Sequence, residues 1–467
     1  MSRTQQWLIL FAMTGAQAMT MLDKSVVSVT LPTLATDLAL APVDLQWVVN
    51  AYMLAMAAFV AVGGRLAEVY GEVPTFEAGI VVFVLASVGC AFAPAGAGGA
   101  WIIAFRAVQG LGAALMMPVS AAIVLNTFAA AEAGMAMAIY TGIAQVFQAM
   151  GPLVGGALTE YVSWRAVFWI NVPLAVIALI LTRIGKPESL RTPGARVSPS
   201  AAALLVVGCA SIIGALQQGS AWGWMSPWTL GVATVGVLLL AQFVHKDLRS
   251  ECPLIDLRLL ANRAILADFM LAFVIQFATL AAILFGALYL QDVLHMKPLL
   301  AGLAMLPFIL SQAIGGQIGG KWFDRVGIRR PALIGFATAS AGLAAWAMGM
   351  PRMNYWDMVA GMALTGLGLG FALSPSSTDG ISRAGVAERG EASGLLQTVR
   401  QLGTCFGVAV IGAVVLGANP NGSRDPSNSE SAHALAWGFG ATALVVVITL
   451  VLATWLIPAR PPKPGVS

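Results

Sequence analysis

Two ionisable residues, Asp23 and Lys24, stand side by side in an apolar run from Trp7 to Leu34, WLILFAMTGAQAMTMLDKSVVSVTLPTL. A bilayer span needs about 20 mostly apolar residues, so the run is long enough to cross one. A charge at the centre of a span costs about 2.5–3.5 kcal/mol on insertion scales, which turns Asp23 away from lipid. At helical periodicity Thr30, Asp23, Thr20, Lys24, Gln17 and Ser28 fall on one arc, with Leu22, Val26, Val29, Ala18 and Met19 on the opposite one. Two kinds of chemistry are open to the polar arc. It could hold a buried ion pair that ties helices together, or a carboxyl that exchanges a proton beside a polar ligand inside the membrane.

Other chemistries find little support. The four cysteines, Cys90, Cys209, Cys252 and Cys405, have neither pairing nor metal spacing, and His245, His295 and His433 lie far apart. No metal site or cofactor is expected. A phosphate loop of the form GxxxxGK[ST] is absent, which argues against ATP drive. A membrane enzyme would want clustered His, Asp or Glu near one interface, and a sensor a soluble output domain; neither is seen. Nothing points to nucleic acid.

The elements that must position Asp23 are membrane helices. Of 467 residues, 58% are hydrophobic and only 10% charged, with mean hydropathy +0.83 and a net charge of +4. A soluble domain carries about 25% charged residues. The start imitates a signal peptide, with Arg3, the run from Trp7 and Ala16-Gln17-Ala18. Apolarity resumes past Ala18, however, so an uncleaved first span is expected.

Hydropathy predicts an all-α integral membrane protein of about fourteen spans. They fall near 7–34, 45–66, 76–94, 100–126, 134–158, 165–184, 200–218, 227–245, 264–290, 299–321, 331–350, 355–376, 391–417 and 434–457. With the N-terminus inside, eighteen of the 25 Lys and Arg residues fall in inner loops, four in outer loops and three within spans (Lys24, Arg106, Arg400). That asymmetry predicts both termini in the cytoplasm. Residues 67–75 and 127–133 run against it, with Glu68, Glu72 and Glu132 and no basic residue. An internal repeat is visible too. GGRLAEVYG (Gly63–Gly71) follows the second span and GGKWFDRVG (Gly319–Gly327) the tenth. The expected organisation is a six-helix half (1–195), a two-helix insert (196–250) and a second six-helix half (251–467).

Several motifs together resemble the major facilitator superfamily, specifically its fourteen-span drug:proton antiporters of the QacA/EmrB-like family. Leu22–Pro32, LDKSVVSVTLP, is similar to LDxTVVNVALP, and Gln46–Tyr52 to QWVVxAY. Arg106–Ala114 matches RxxQGxGAA, and Gly151–Gly156 the GPxxGG antiporter core. Ser163-Trp164-Arg165 with Phe168, Asn171 and Pro173 resembles SWRxxFxxNxP, and Arg400–Gly403 with Gly407 is similar to the thirteenth span. The resemblance covers nearly the whole chain.

It implies a major facilitator fold and a proton-coupled efflux antiporter that exports lipophilic drugs or antibiotics from the cytoplasm of a bacterial cell as a monomer. Coupling would fall to Asp23 and Arg106. At about 1.5 Å per residue, Arg106 lies roughly 9 Å into its span and Asp23 roughly 16 Å from the outer end of its own, so an ion pair is within reach. Gly151, Pro152, Gly155 and Gly156 would serve conformational change, through close helix approach and a kink; ordinary tight packing is the other reading. The loops at Glu68 and Gly71 and at Asp324 and Arg325 would act as latches, with Arg400 in the same conformational group. Phe147 stands where a glycine is usual, and Glu68, Val69, Glu72 and Val73 depart from the loop pattern. Lys24 departs as well; it could tether Asp23 or select ligand charge.

Cavity candidates are Lys24, Asn50, Tyr52, Gln109, Gln145, Gln148, Gln276 and Gln401, with Met116 and Met117 as an adaptable apolar wall. The alternative within transport is a symporter, or an exporter of one specific metabolite.

Overall fold

A computed structural model describes residues 1–94, 98–128, 130–189, 191, 198–250, 253–254, 257–383, 389–418 and 429–457, and among these every regular element is helical. The first helices are α1 (Arg3–Leu38), α2 (Pro42–Tyr70), α3 (Glu72–Ala91), α4 (Gly98–Thr127) and α5 (Ala130–Tyr161). The sixth span is broken into α6 (Ala166–Trp169) and α7 (Asn171–Gly185), followed by α8 (Pro199–Trp222) and α9 (Pro227–Leu248). Then come α10 (Arg263–Leu288), α11 (Pro298–Ala304), α12 (Leu306–Val326), α13 (Arg329–Gly349), α14 (Trp356–Ser382), α15 (Arg389–Ala418) and α16 (Ser429–Leu456).

Thirteen helical stretches among the described residues are long and apolar enough to cross a membrane. The first helix is not among them. At 36 residues α1 is long enough, but Gln17, Asp23 and Lys24 dilute its apolar run. The expected fourteen spans are matched only when α1 is counted. Backbone groups have no water to bond in a bilayer, which is why an apolar chain of this kind is helical. Helix α1 starts with a capping box, in which Ser2 and Gln5 satisfy each other's backbone N–H groups, and it ends at Ala39 in the left-handed region (φ 53°).

The helices gather into two compact units, residues 1–218, 225–255 and 296–303 in one, and 219–224, 256–295 and 304–467 in the other. Within the first, α1 packs on α5, α7 and α4, while α2 and α3 pack on α4. Within the second, α10 packs on α15, α16 and α14, while α12 and α13 pack on α14. The same pairing scheme thus occurs twice, as the GGRLAEVYG and GGKWFDRVG copies suggest. In the first unit the scheme lets α4 approach α2 closely. A Cβ on Gly110 would overlap the Tyr52 carbonyl oxygen, so only glycine admits that contact.

Candidate functional site

Arg106, two turns into α4, reaches Asp23 on α1 across 2.6 Å from Nη1 to Oδ2. Both residues are 1% exposed. The same Nη1 donates to Gln109 Oε1 at 2.7 Å, Nε donates to the Val48 carbonyl of α2 at 3.0 Å, and the guanidinium carbon lies 4.3 Å from the Tyr52 ring centroid. The other Asp23 oxygen accepts from Gln109 Nε2 at 3.0 Å and Asn171 Nδ2 at 3.2 Å. Ser87 on α3 accepts from Asn171 at 2.9 Å and from Gln109 at 3.3 Å, and donates to the Phe168 carbonyl at 2.9 Å. Residues of α4 and α7 thus bond directly to the buried carboxylate of α1, and α2 and α3 hold those residues in turn. Chemically the site is a single charge of each sign held by charge-assisted bonds, and losing either charge strands the other.

Sequence reasoning placed Asp23 with Arg106 but assigned Gln109 to a cavity. It gave Ser87 no role and saw Asn171 only as part of a motif. The spacing that would have found Asn171 is its place as the first residue of α7, just past the break after α6.

Beside this network, polar atoms are buried without a partner. They are both side-chain atoms of Asn50, the Tyr52 hydroxyl, Gln17 Oε1, Gln46 Oε1 and Asn171 Oδ1. An orphaned buried polar group costs about 1–3 kcal/mol, so these atoms hold hydrogen-bonding capacity that the described residues do not fill. Lys24 is half-buried, unlike the fully buried Asp23 beside it, and Gln148 and Gln276 are half-buried as well. Gln401 is buried with Oε1 unpartnered. The side chains of Gln145 and Asp324 lie outside the described residues.

A family model described as Major Facilitator Superfamily matches residues 13–408. The chain belongs to the major facilitator superfamily. It is 32% identical over 416 residues to the multidrug resistance protein Stp of Mycobacterium tuberculosis, covering 89% of this chain and 76% of the relative. It is 31% identical to the tetracenomycin C resistance and export protein of Streptomyces glaucescens, covering 88% and 76%. With the puromycin resistance protein of Streptomyces alboniger the identity is 30%, covering 98% and 92%. Among solved structures, a bacterial homologue of the human lysosomal transporter Spinster matches with TM-score 0.71 at 17% identity, covering 99% of this chain and 100% of the other. The xylose transporter XylE from E. coli matches at TM-score 0.65 and 14% identity, covering 97% and 99%. This is a multi-pass membrane protein of a transporter family.

In this facilitator chain the α5 glycines face two neighbours. A Cβ on Gly151 would overlap Ser25 Oγ, and one on Gly155 would stand 2.7 Å from the Val26 carbonyl oxygen, both on α1. On Gly156 it would stand 2.5 Å from the carbonyl oxygen of Pro298, in the stretch 296–303. Pro152 lies inside α5, where its ring removes one helical bond. The segment is therefore seated tightly on one side against Ser25 and Val26, the two residues that follow Lys24.

Glu68 pairs with Arg65 of its own helix at 2.7 Å, while Arg65 also donates to the Pro253 carbonyl at 2.6 Å and 3.2 Å. Gly71 takes φ 105°, a left-handed value that glycine tolerates. Arg325 is exposed in the last turn of α12. Arg400 donates to Gln397 Oε1 at 3.3 Å and to Ser377 Oγ, and its Nε has no partner.

At the other end of α1, Asp37 accepts from Trp164 Nε1 and Arg165 Nη1, each at 2.8 Å, and Arg165 stacks 4.3 Å from the Trp164 ring centroid. The Trp164 hydrogen bond, then that of Arg165, holds the Asp37 carboxyl below the usual carboxylate range. This clamp gives Ser163-Trp164-Arg165 a physical partner that the sequence pattern did not name.

Proposed function

We propose that the chain exports lipophilic drugs or antibiotics from the cytoplasm in exchange for protons. The observation that carries this reading is the Asp23 carboxylate, 1% exposed and bonded to Arg106, Gln109 and Asn171, in a chain whose relatives are named for drug resistance and export. Taking up a proton at Asp23 removes the charge that attracts Arg106 and weakens the bonds from Gln109 and Asn171. The network then relaxes, and the orphaned atoms of Asn50 and Tyr52 provide polar contacts for a ligand. Protein conformations that differ in proton affinity at Asp23 convert a proton gradient into uphill export. Asp23 and Arg106 are the coupling pair, the α5 glycines and Pro152 the sliding surface, and Glu68, Asp324, Arg325 and Arg400 parts of the conformational control. Both termini face the cytoplasm, the halves are arranged as six, two and six helices, and the chain works as a monomer.

The test is dye efflux from proteoliposomes with an imposed pH gradient. Drug-dependent proton movement and uphill dye transport are expected, and transport that ignores the gradient would defeat the reading. The names of two relatives, which specify tetracenomycin C and puromycin, favour a second reading in which one compound is exported. Efflux of several unrelated dyes by the same preparation would exclude it.

A further inference from the structure

Away from the Asp23 network, α10 and α14 bring two carboxyl groups to one guanidinium. Asp268 lies in the second turn of α10 and Asp379 in the last turn of α14, with Arg383 just past its end. Arg383 Nε is 2.5 Å from Asp379 Oδ2 and 3.7 Å from Asp268 Oδ2. The Asp268 side chain is 1% exposed and that of Asp379 7%, and Asp268 Oδ2 accepts no hydrogen bond. Gly380 makes the approach possible, since a Cβ there would already stand 3.2 Å from Asp268 Cβ and 3.1 Å from the Phe269 ring.

With both groups ionised, the cluster would bury one uncompensated negative charge, a costly state in a membrane span. One proton makes the cluster neutral. The elements packed on α10 bring other charges: Asp357 at the far end of α14, Arg400 of α15, Glu430 and His433 at the start of α16, and Arg258 and Asp292 of the flanking turns, with Arg263 on α10 itself. The charge nearest the Asp268 carboxyl is that of Arg383, which it shares with Asp379.

We propose that Asp268 and Asp379 together bind one proton, with Arg383 balancing the remaining negative charge, as a proton site separate from Asp23. The pair lies about 8 Å from the start of α10, on the cytoplasmic side in the proposed orientation. The inference rests on the proposed proton exchange only for the use made of the proton, and occupancy is measured without transport.

The test is infrared difference spectroscopy of the purified full chain in detergent as pH is raised. The wild type should show a protonated-carboxyl band that fades with rising pH. Asp268→Asn and Asp379→Asn should each lack it, because the remaining acid pairs one-to-one with Arg383 and stays ionised, whereas Asp23→Asn should keep it. Should an Asn variant fail to fold, Asp268→Glu reports instead, with a band that persists at a shifted frequency. A band unchanged in both Asn variants, unshifted in Asp268→Glu, or absent from the wild type at every pH would overturn the proposal. If the band behaves as expected while the wild type shows no proton-driven efflux, the site stands and the exchange reading falls.

Discussion

Arg106 Nη1 lies 2.6 Å from Asp23 Oδ2 and 2.7 Å from Gln109 Oε1, so one guanidinium nitrogen grips the carboxylate and the residue that holds its other oxygen. The first prediction follows from this sharing. Asp23→Asn keeps the shape of the network while removing its titration. It should still exchange drug for drug but should not accumulate drug uphill. Arg106→Ala strands the carboxylate and should cost about 3–5 kcal/mol of stability as well as pumping. Counterflow and gradient-driven uptake in proteoliposomes, with thermal unfolding alongside, check both. Uphill transport by Asp23→Asn would remove it from the coupling step.

Asn171 donates to both Asp23 and Ser87. Replacing it by Leu leaves acceptors on two buried residues short of a donor, at a cost of about 1–3 kcal/mol. Asn171→Leu should melt lower than the wild type and transport more slowly. A variant that melts and transports like the wild type would show that Gln109 alone suffices.

The α5 glycines can be told apart by what they touch. Gly155 faces the Val26 backbone, so Gly155→Val should cost about 1–3 kcal/mol through overpacking and slow transport. A Cβ at Gly142 on the same helix meets nothing within 4 Å. Gly142→Ala should be neutral or stabilising by up to about 1 kcal/mol. Equal sensitivity at both positions in thermal unfolding and efflux would mean that helix propensity, not close approach, governs α5.

The Asp37 clamp gives a pH dependence whose sign is set by its lowered carboxyl. Its stabilisation is present above the ordinary Asp value of about 3.9 and is lost as pH falls through the lower folded value. Asp37→Asn should therefore melt below the wild type at neutral pH, with the gap closing in acid. The gap should be small, because the Asp37 side chain is 43% exposed. A gap that widens in acid contradicts the assignment of the shift to Trp164 and Arg165.

Lys24 bears on ligand charge. Because it is only half-buried beside Asp23, Lys24→Thr should improve export of cationic dyes relative to neutral drugs. An unchanged substrate spectrum in whole-cell efflux would leave Lys24 as a tether.

The chain's local chemistry alone determined that it is a bundle of membrane helices, because hydropathy is summed over neighbours along the chain. It also singled out Asp23, Arg106 and the Gly151–Gly156 segment, since a charge or a glycine run in an apolar helix is visible without knowing its partner. Helix depth also put Arg106 within reach of Asp23, but the other partners were decided by packing. Ser87 and Asn171 are 84 residues apart, and Gly156 meets Pro298 in a stretch that no local pattern links to α5. Asp268 is visible in the sequence as a carboxylate within an apolar span, but α14 is what sets Asp379 and Arg383 against it. A hydrogen bond needs two groups within about 3 Å, and in a helical bundle only the crossing of helices distant in sequence brings such groups together. For that reason the charged positions were legible and the network that gives them chemistry was not.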